Sequence, residues 1–338
     1  MQFIELFAGA GGLALGLEKA GFAPIALIEK EKNAVETLKL NRPHWNIILE
    51  YISKIAYPAN ISNLFGLKQF ELDLLSGGVP CQAFSYAGKK LGLNDPRGTL
   101  FYYYAIFLQT LKPKVFLFEN VKGLLTHDKG RTYNTIIKIF QDSGYETQIK
   151  ILNALDYGVA QKRERLIIIG IHREFKDKIK ITFPQPSKQH LTLKDVLNHV
   201  PQSEGASYSN YKKQFFKLIP QGGYWKDLPI NLQREYLKSC YFMEGGRTGI
   251  LRRMSLDEPS LTILTTPSQK QSERCHPLFD RPFTVRENAR IQSFPDDWKF
   301  AGSMMSKYKQ IGNAVPVNLA YEIGKEIKKG LIDFYAHI

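Results

Sequence analysis

The chain has 338 residues, a formal net charge of +14 and a sequence pI of about 9.4, so a polyanionic partner is expected; its 43% hydrophobic and 12% aromatic content excludes a disordered chain. Three cysteines, Cys81, Cys240 and Cys275, make neither a disulfide framework nor a zinc-ligand spacing, and no metal is expected. No apolar run reaches the roughly 18 residues of a membrane helix, and no basic leader precedes Phe3, which predicts a soluble, cytoplasmic protein.

Residues 3–7 read as a buried strand, and residues 10–20 as a helix with Leu13 and Leu17 one turn apart, stopped by Gly21. Residues 24–28 form a second apolar run that ends at Glu29, and a helix over 33–40 takes Asn33 as its N-cap. Short apolar runs follow at 72–75, 115–118 and 166–171. Strands alternating with helices predict a doubly wound α/β sheet. Residues 172–250 are richer in Lys, Gln, Tyr, Pro and Gly and lose the alternation. Helix then returns near the end, with Leu319, Ile323, Ile327 and Leu331 at i, i+4 spacing.

The unusual residues fall at strand ends, where an open parallel sheet binds its ligands. Phe7-Ala-Gly-Ala-Gly-Gly-Leu13 follows the first strand, and Glu29 ends the second. A glycine turn at a helix start lets backbone N–H groups approach a ligand, and a carboxylate at the next strand end suits a ribose diol. The pair fits an adenosine-type cofactor without choosing between NAD and S-adenosylmethionine. Cys81 lies between Pro80 and Gln82 after Ser76-Gly-Gly78, in a position open to a nucleophile if its thiol is activated. Glu119 closes the strand Val115-Phe-Leu-Phe118, where desolvation raises a carboxyl pKa, or else it pairs with a basic neighbour. In Gln161-Lys-Arg-Glu-Arg165, alternation puts Arg163 and Arg165 on one face, fit for a nucleobase carbonyl or a phosphate.

In this order the segments resemble the cytosine-C5 DNA methyltransferase family of bacterial restriction-modification type. Phe7–Leu13 looks like the cofactor loop, Glu29 the ribose acid, Gly78-Val-Pro-Cys-Gln-Ala-Phe-Ser85 the Pro-Cys motif, Glu119-Asn-Val121 the Glu-Asn-Val motif and Gln161–Arg165 the paired-Arg motif. Arg286-Glu-x-Ala-Arg-Ile-Gln292 and Gln310-Ile-Gly-Asn-Ala-Val-Pro316 match the last two. The resemblance implies an S-adenosylmethionine-dependent, Rossmann-like methyltransferase domain (1–178), a smaller irregular target-recognition domain (179–280) and a C-terminal segment (281–338) that returns to the catalytic domain.

It also implies the chemistry. Cys81 adds to C6 of a flipped-out cytosine, Glu119 holds N3, Arg165 with Arg163 holds O2, and Asn120 orients the loop. S-adenosyl-L-methionine, leaving as S-adenosyl-L-homocysteine, would lie against Phe7, Ala8, Gly9, Gly11, Gly12, Leu13, Glu29, Lys30, Tyr51, Ile52, Pro80, Leu100, Asn313, Ala314 and Val315. Double-stranded DNA would meet Gln82, Ser85, Lys89, Arg97, Tyr224, Arg247, Arg252 and Arg253, with Tyr208, Tyr211, Lys212, Lys213 and Trp225 as further basic and aromatic candidates. A cognate restriction endonuclease acting separately is an open partner, and a monomer the default. The chain departs from the family at Tyr51, where an Asp usually takes the adenine amino group; Asn60 is the alternative position. A tRNA cytosine methyltransferase, a silent DNA-binding homologue and a nicotinamide oxidoreductase are the competing readings.

Overall fold

The computed structural model describes residues 1–79, 100–242, 245, 247–269 and 271–337. Strands β1 (Gln2–Leu6), β2 (Ala23–Glu29), β3 (Ile47–Leu49), β4 (Leu74–Gly78), β5 (Val115–Val121), β6 (Tyr145–Asn153) and β8 (Glu164–His172) form a seven-stranded sheet in the order β3-β2-β1-β4-β5-β8-β6. Strands β1 to β5 are parallel, and β8 runs antiparallel to both β5 and β6. A two-stranded ribbon joins β7 (Gln161–Lys162) to β9 (Ser260–Leu261).

Side chains alternate between two cores, one on each face of the sheet. Phe3, Leu27, Leu74, Leu117 and Ile167 face one way, and Ile4, Ile28, Leu75, Phe116 and Ile168 the other. Burial on both faces is why these strands read as continuous apolar runs. The expected α/β architecture is present, with two strands added. Three-residue β3 is too short to show a pattern. Strand β6 lies at the sheet edge with Glu146, Gln148 and Lys150 exposed, so it lacks an apolar run.

The helix Gly12–Lys19 buries Leu13 and Leu17 and packs against the terminal helix Val317–Tyr335, in which Leu319, Ile323, Ile327 and Leu331 are all buried as expected. The second helix, Lys32–Asn41, is capped at Glu31 instead of Asn33, whose amide donates to the Ser306 hydroxyl. A third, separate core gathers Tyr208, Phe215, Phe216, Trp225, Tyr236, Leu251 and Cys275. Ile179, Ile181 and Leu193 belong instead to the main core, so the opening stretch of the expected recognition unit packs on the catalytic layer.

Candidate active site

The strand order reverses between β1 and β4, the point at which an open sheet of this kind leaves a crevice beyond the carboxyl ends of its strands. The turn after β1 carries positive φ at Phe7, Gly9 and Gly11. Glycine adopts this freely, but a phenylalanine there is strained, which marks a backbone held for a purpose. The Glu29 carboxylate is fixed at the mouth of this turn. Its Oε2 accepts from Gly9 N–H, and its Oε1 from Lys30 and Glu31 N–H, each at 2.8 Å. Three of its roughly four lone-pair sites are filled in this way, which leaves Oε2 free to accept from one ribose hydroxyl.

The C-terminal segment closes the same pocket. A Cβ at Gly12 would lie 2.2 Å from the Val315 carbonyl oxygen, so only glycine admits this return. Ala8, Gly11, Gly12, Leu13, Ala314 and Val315 are buried here, while Gly9 is half-buried and Asn313 exposed. Leu100 is half-buried at the start of the helix Leu100–Leu111. At the adenine end, Ile52 is buried and Tyr51 is 57% exposed, with the Lys30 and Lys54 ammonium groups 5.7 and 5.9 Å from its ring centroid. Asn60 is exposed on a separate helix, its amide donating to Lys54 O.

One residue at this end escaped the sequence reading. Glu50 follows β3, and its N–H donates to Glu29 O at 3.1 Å. Its Oε1 accepts from Tyr51 N–H at 2.7 Å and pairs with Lys54 at 3.1 Å, which holds the carboxyl below its usual range. The signal was there: a Glu directly after an Ile-Ile-Leu run, as Glu29 closes its own.

At the other end of the crevice, Gly78 sits opposite Glu119 in the β4–β5 register. A Cβ on Gly78 would lie 2.9 Å from Glu119 Oε2, so the glycine keeps that side of the carboxyl open. Glu119 is buried and pairs with Arg165, Nε to Oε1 at 2.8 Å. Both sequence expectations hold at once. Burial raises the Glu119 pKa, and Arg165 and Arg163 counter it only in part. Asn120 donates from Nδ2 to Val79 O at 2.9 Å, tethering the chain two residues before Cys81. Pro80, Cys81, Gln82, Ser85, Lys89 and Arg97 lie outside the described residues.

Arg163 lies beside Arg165 and Glu119, but its hydrogen bonds run to the C-terminal segment. The run 161–165 is broken, with β7 ending at Lys162 and β8 starting at Glu164. Arg163 is buried between them and donates from Nη2 to Gly312 O (2.8 Å) and Ala314 O (3.1 Å). Burial and the neighbouring Arg165 push its pKa down to about 9. Gln161 joins the same arrangement. Its Nε2 donates to Gln292 Oε1 at 2.9 Å, and Gln292 Nε2 donates to Ile311 O and Ala314 O at 2.8 and 3.0 Å. Arg163 therefore positions the C-terminal loop, while Arg165 is the guanidinium paired with the buried carboxyl.

The basic and aromatic residues of the recognition segment divide between inside and outside. Arg253, expected at DNA, is buried: it donates to the carbonyls of Ile219, His276 and Phe216 and pairs with Asp280. Its donors hold the third core together, so it is corrected to a structural residue. Tyr208 and Trp225 are likewise buried, and Lys212 is paired with Glu273. Tyr224, Arg247 and Arg252 are half-buried, and Tyr211 is 47% exposed. Among the described residues, no helix is long and apolar enough to cross a membrane, and no cluster of three or more metal-ligating side chains occurs.

Comparison with known proteins agrees with this geometry. The family model of C-5 cytosine-specific DNA methylases matches residues 1–329. The chain is 52% identical over 334 residues to the type II methyltransferase M.PspPI of Psychrobacter sp. (strain TA137), covering 96% of this chain and 78% of that protein. It is 50% identical over 332 residues to M.Eco47II of Escherichia coli, again covering 96% and 78%. Among solved structures, a prophage-encoded DNA modification methyltransferase from E. coli superposes with a TM-score of 0.71 at 25% identity, covering 98% of this chain and 99% of that one. A protein with a doubly wound sheet, a glycine turn facing a fixed carboxylate, and a buried Glu–Arg pair across one crevice, matched over nearly its whole length, belongs to the C-5 cytosine-specific DNA methylases.

Proposed function

We propose that this enzyme methylates C5 of a flipped-out cytosine in a specific double-stranded DNA sequence, through a covalent bond from Cys81 to C6. It would act as the modification half of a restriction-modification pair, as the names of its type II relatives suggest. The observation that carries the reading is Glu119: a buried carboxyl with a raised pKa, paired with Arg165 at the end of β5.

The chemistry follows from these groups. A cytosine inside a duplex cannot reach them, so the base must leave the stack, at a cost of a few kcal/mol. Addition of the Cys81 thiolate to C6 drives electron density toward C5 and N3. In its protonated form, which burial favours, Glu119 donates to N3 and stabilises that charge, while Arg165 holds O2. Asn120 fixes the backbone leading to Cys81 through Val79. Glu29 and the turn 7–12 would hold the ribose and amino-acid ends of S-adenosylmethionine, closed by 313–315. When bound, that cofactor supplies a methyl group on a sulfonium. Loss of the C5 proton and departure of Cys81 restore the aromatic ring.

Incubation with labelled S-adenosylmethionine and duplex DNA containing 5-fluorocytosine tests this. An adduct that survives denaturing gel electrophoresis is expected, and Cys81→Ser should abolish it. Label transfer to tRNA with no adduct on any duplex would overturn the DNA reading.

A further inference from the structure

Beyond the cofactor and base pockets, the recognition segment presents a cluster of guanidinium groups. Arg247 lies 5.3 Å from the Trp225 ring centroid, and Arg252 lies 5.8 Å from that of Tyr224. Arg274, which the sequence reading did not single out, is close enough to Arg252 that this neighbour, after burial, lowers its pKa. All three are half-buried. Nε of Arg252, and Nε and Nη1 of Arg247, are buried without a hydrogen-bond partner among the described residues. The acidic groups nearby are engaged elsewhere: Glu273 with Lys212 and Leu251 N–H, and Asp280 with Arg253. Like charges held together on half-buried side chains favour an acceptor supplied from outside the chain.

The position of the cluster indicates which acceptor. Arg274 Nε donates to Thr262 O at 3.2 Å, and the Thr262 hydroxyl donates to Lys162 O at 2.7 Å. Lys162 is paired in the β7–β9 ribbon and lies three residues before Arg165, the partner of Glu119. Three residues span at most about 10 Å, so this path ends within a few base pairs of the base that Arg165 would hold. A phosphate is well served by a mobile, exposed lysine. A guanidinium plane laid on an aromatic ring is already oriented, as recognition of two fixed acceptors in one plane requires. In the major groove that pattern is O6 and N7 of guanine.

Resting on the DNA reading above, we infer that Arg252 and Arg274, supported by Arg247, read guanine bases beside the target cytosine and so set the sequence that this enzyme modifies. Each makes a bidentate contact to one guanine, and the ring of Tyr224 holds Arg252 in plane.

The test uses the full-length enzyme and a duplex library randomised over eight base pairs around one cytosine, with methylated sites read by conversion sequencing. Wild type should require guanine at defined positions. Arg252→Ala and Arg274→Ala should each relax the requirement at one guanine by roughly five- to a hundredfold, leaving the other positions and the salt dependence of the rate unchanged. Duplexes with 7-deazaguanine at that position provide a second reading: wild type should slow by a similar factor, and the matching variant should not respond. This arm also covers Arg274→Ala should it prove unstable, because wild-type sensitivity can be compared with that of Arg274→Lys. Unchanged base preferences, with a uniformly slower rate and a salt slope lowered by about one, would make these phosphate contacts and overturn the inference. Absence of methylation at any site by wild type would instead overturn the DNA reading itself.

Discussion

The catalytic sheet and the recognition segment use arginine in opposite ways within each region. At the crevice, Arg163 is buried against backbone carbonyls and Arg165 meets the reacting end of Glu119. In the recognition segment, Arg253 is buried against carbonyls and Arg252 has an idle Nε. Each region thus has one arginine that secures the scaffold and another, close in sequence, that we propose for the ligand. The difference lies in what fixes the second. A charge partner fixes Arg165, whereas an aromatic ring fixes Arg252. A catalytic group must meet the same atoms in every turnover, while a reader of sequence must stay unpaired until the right base arrives.

The comparison can be broken most severely at Glu119. Glu119→Gln removes the proton donor while keeping the shape, and single-turnover methyl transfer should fall roughly 10²- to 10⁴-fold with the fold intact. The same variant tests the electrostatics. Because burial raises the Glu119 pKa, the folded chain keeps that proton to higher pH than the unfolded chain does. The resulting stability is fully present below the ordinary carboxylate pKa and is lost as pH rises through the raised value. Melting curves should therefore shift in favour of Glu119→Gln as pH increases through that window.

Arg253→Ala should act on the scaffold. It breaks a buried pair and strands several carbonyls, so a loss of about 3–5 kcal/mol in denaturant unfolding is expected. Intact stability in this variant would return Arg253 to the DNA surface. Arg163→Ala should cost less, about 1–3 kcal/mol for the Gly312 carbonyl left unpaired while Ala314 O keeps Gln292, and should weaken binding of S-adenosylhomocysteine by calorimetry. A variant that bound normally but lost only turnover would place Arg163 on the base after all. Tyr51→Asp should give the smallest change, a gain of a few-fold in affinity for the same analogue; no gain would leave the adenine amino group to Glu50.

The sheet was legible because its strands are buried on both faces and its ligand groups sit where apolar runs stop. Glu29 and Glu119 stood out for that reason, and the ordered motifs supplied the rest. Residue type was much less informative in the recognition segment. Tyr208, Trp225 and Arg253 have the composition of a DNA surface, but the two rings pack with Phe, Ile and Leu in a small core and Arg253 is buried donating to backbone carbonyls. Arg274 was overlooked for the converse reason: its placement depends on the Thr262 carbonyl, a contact without local pattern. The bonds from Arg163 to the Gly312 and Ala314 carbonyls went unread because they join segments about 150 residues apart.

The buried amide of Gln292 and the guanidinium of Arg163 both donate to carbonyls of residues 311–314, and Gln161 holds Gln292 in place. During synthesis this leaves the pocket unfinished until residues 311–314 have left the ribosome. A nascent enzyme would thus be unable to mark DNA, and its activity would begin as a single late event, when the helix Val317–Tyr335 docks against Gly12–Lys19. Any shortened product ending before that helix should be silent as well as unstable.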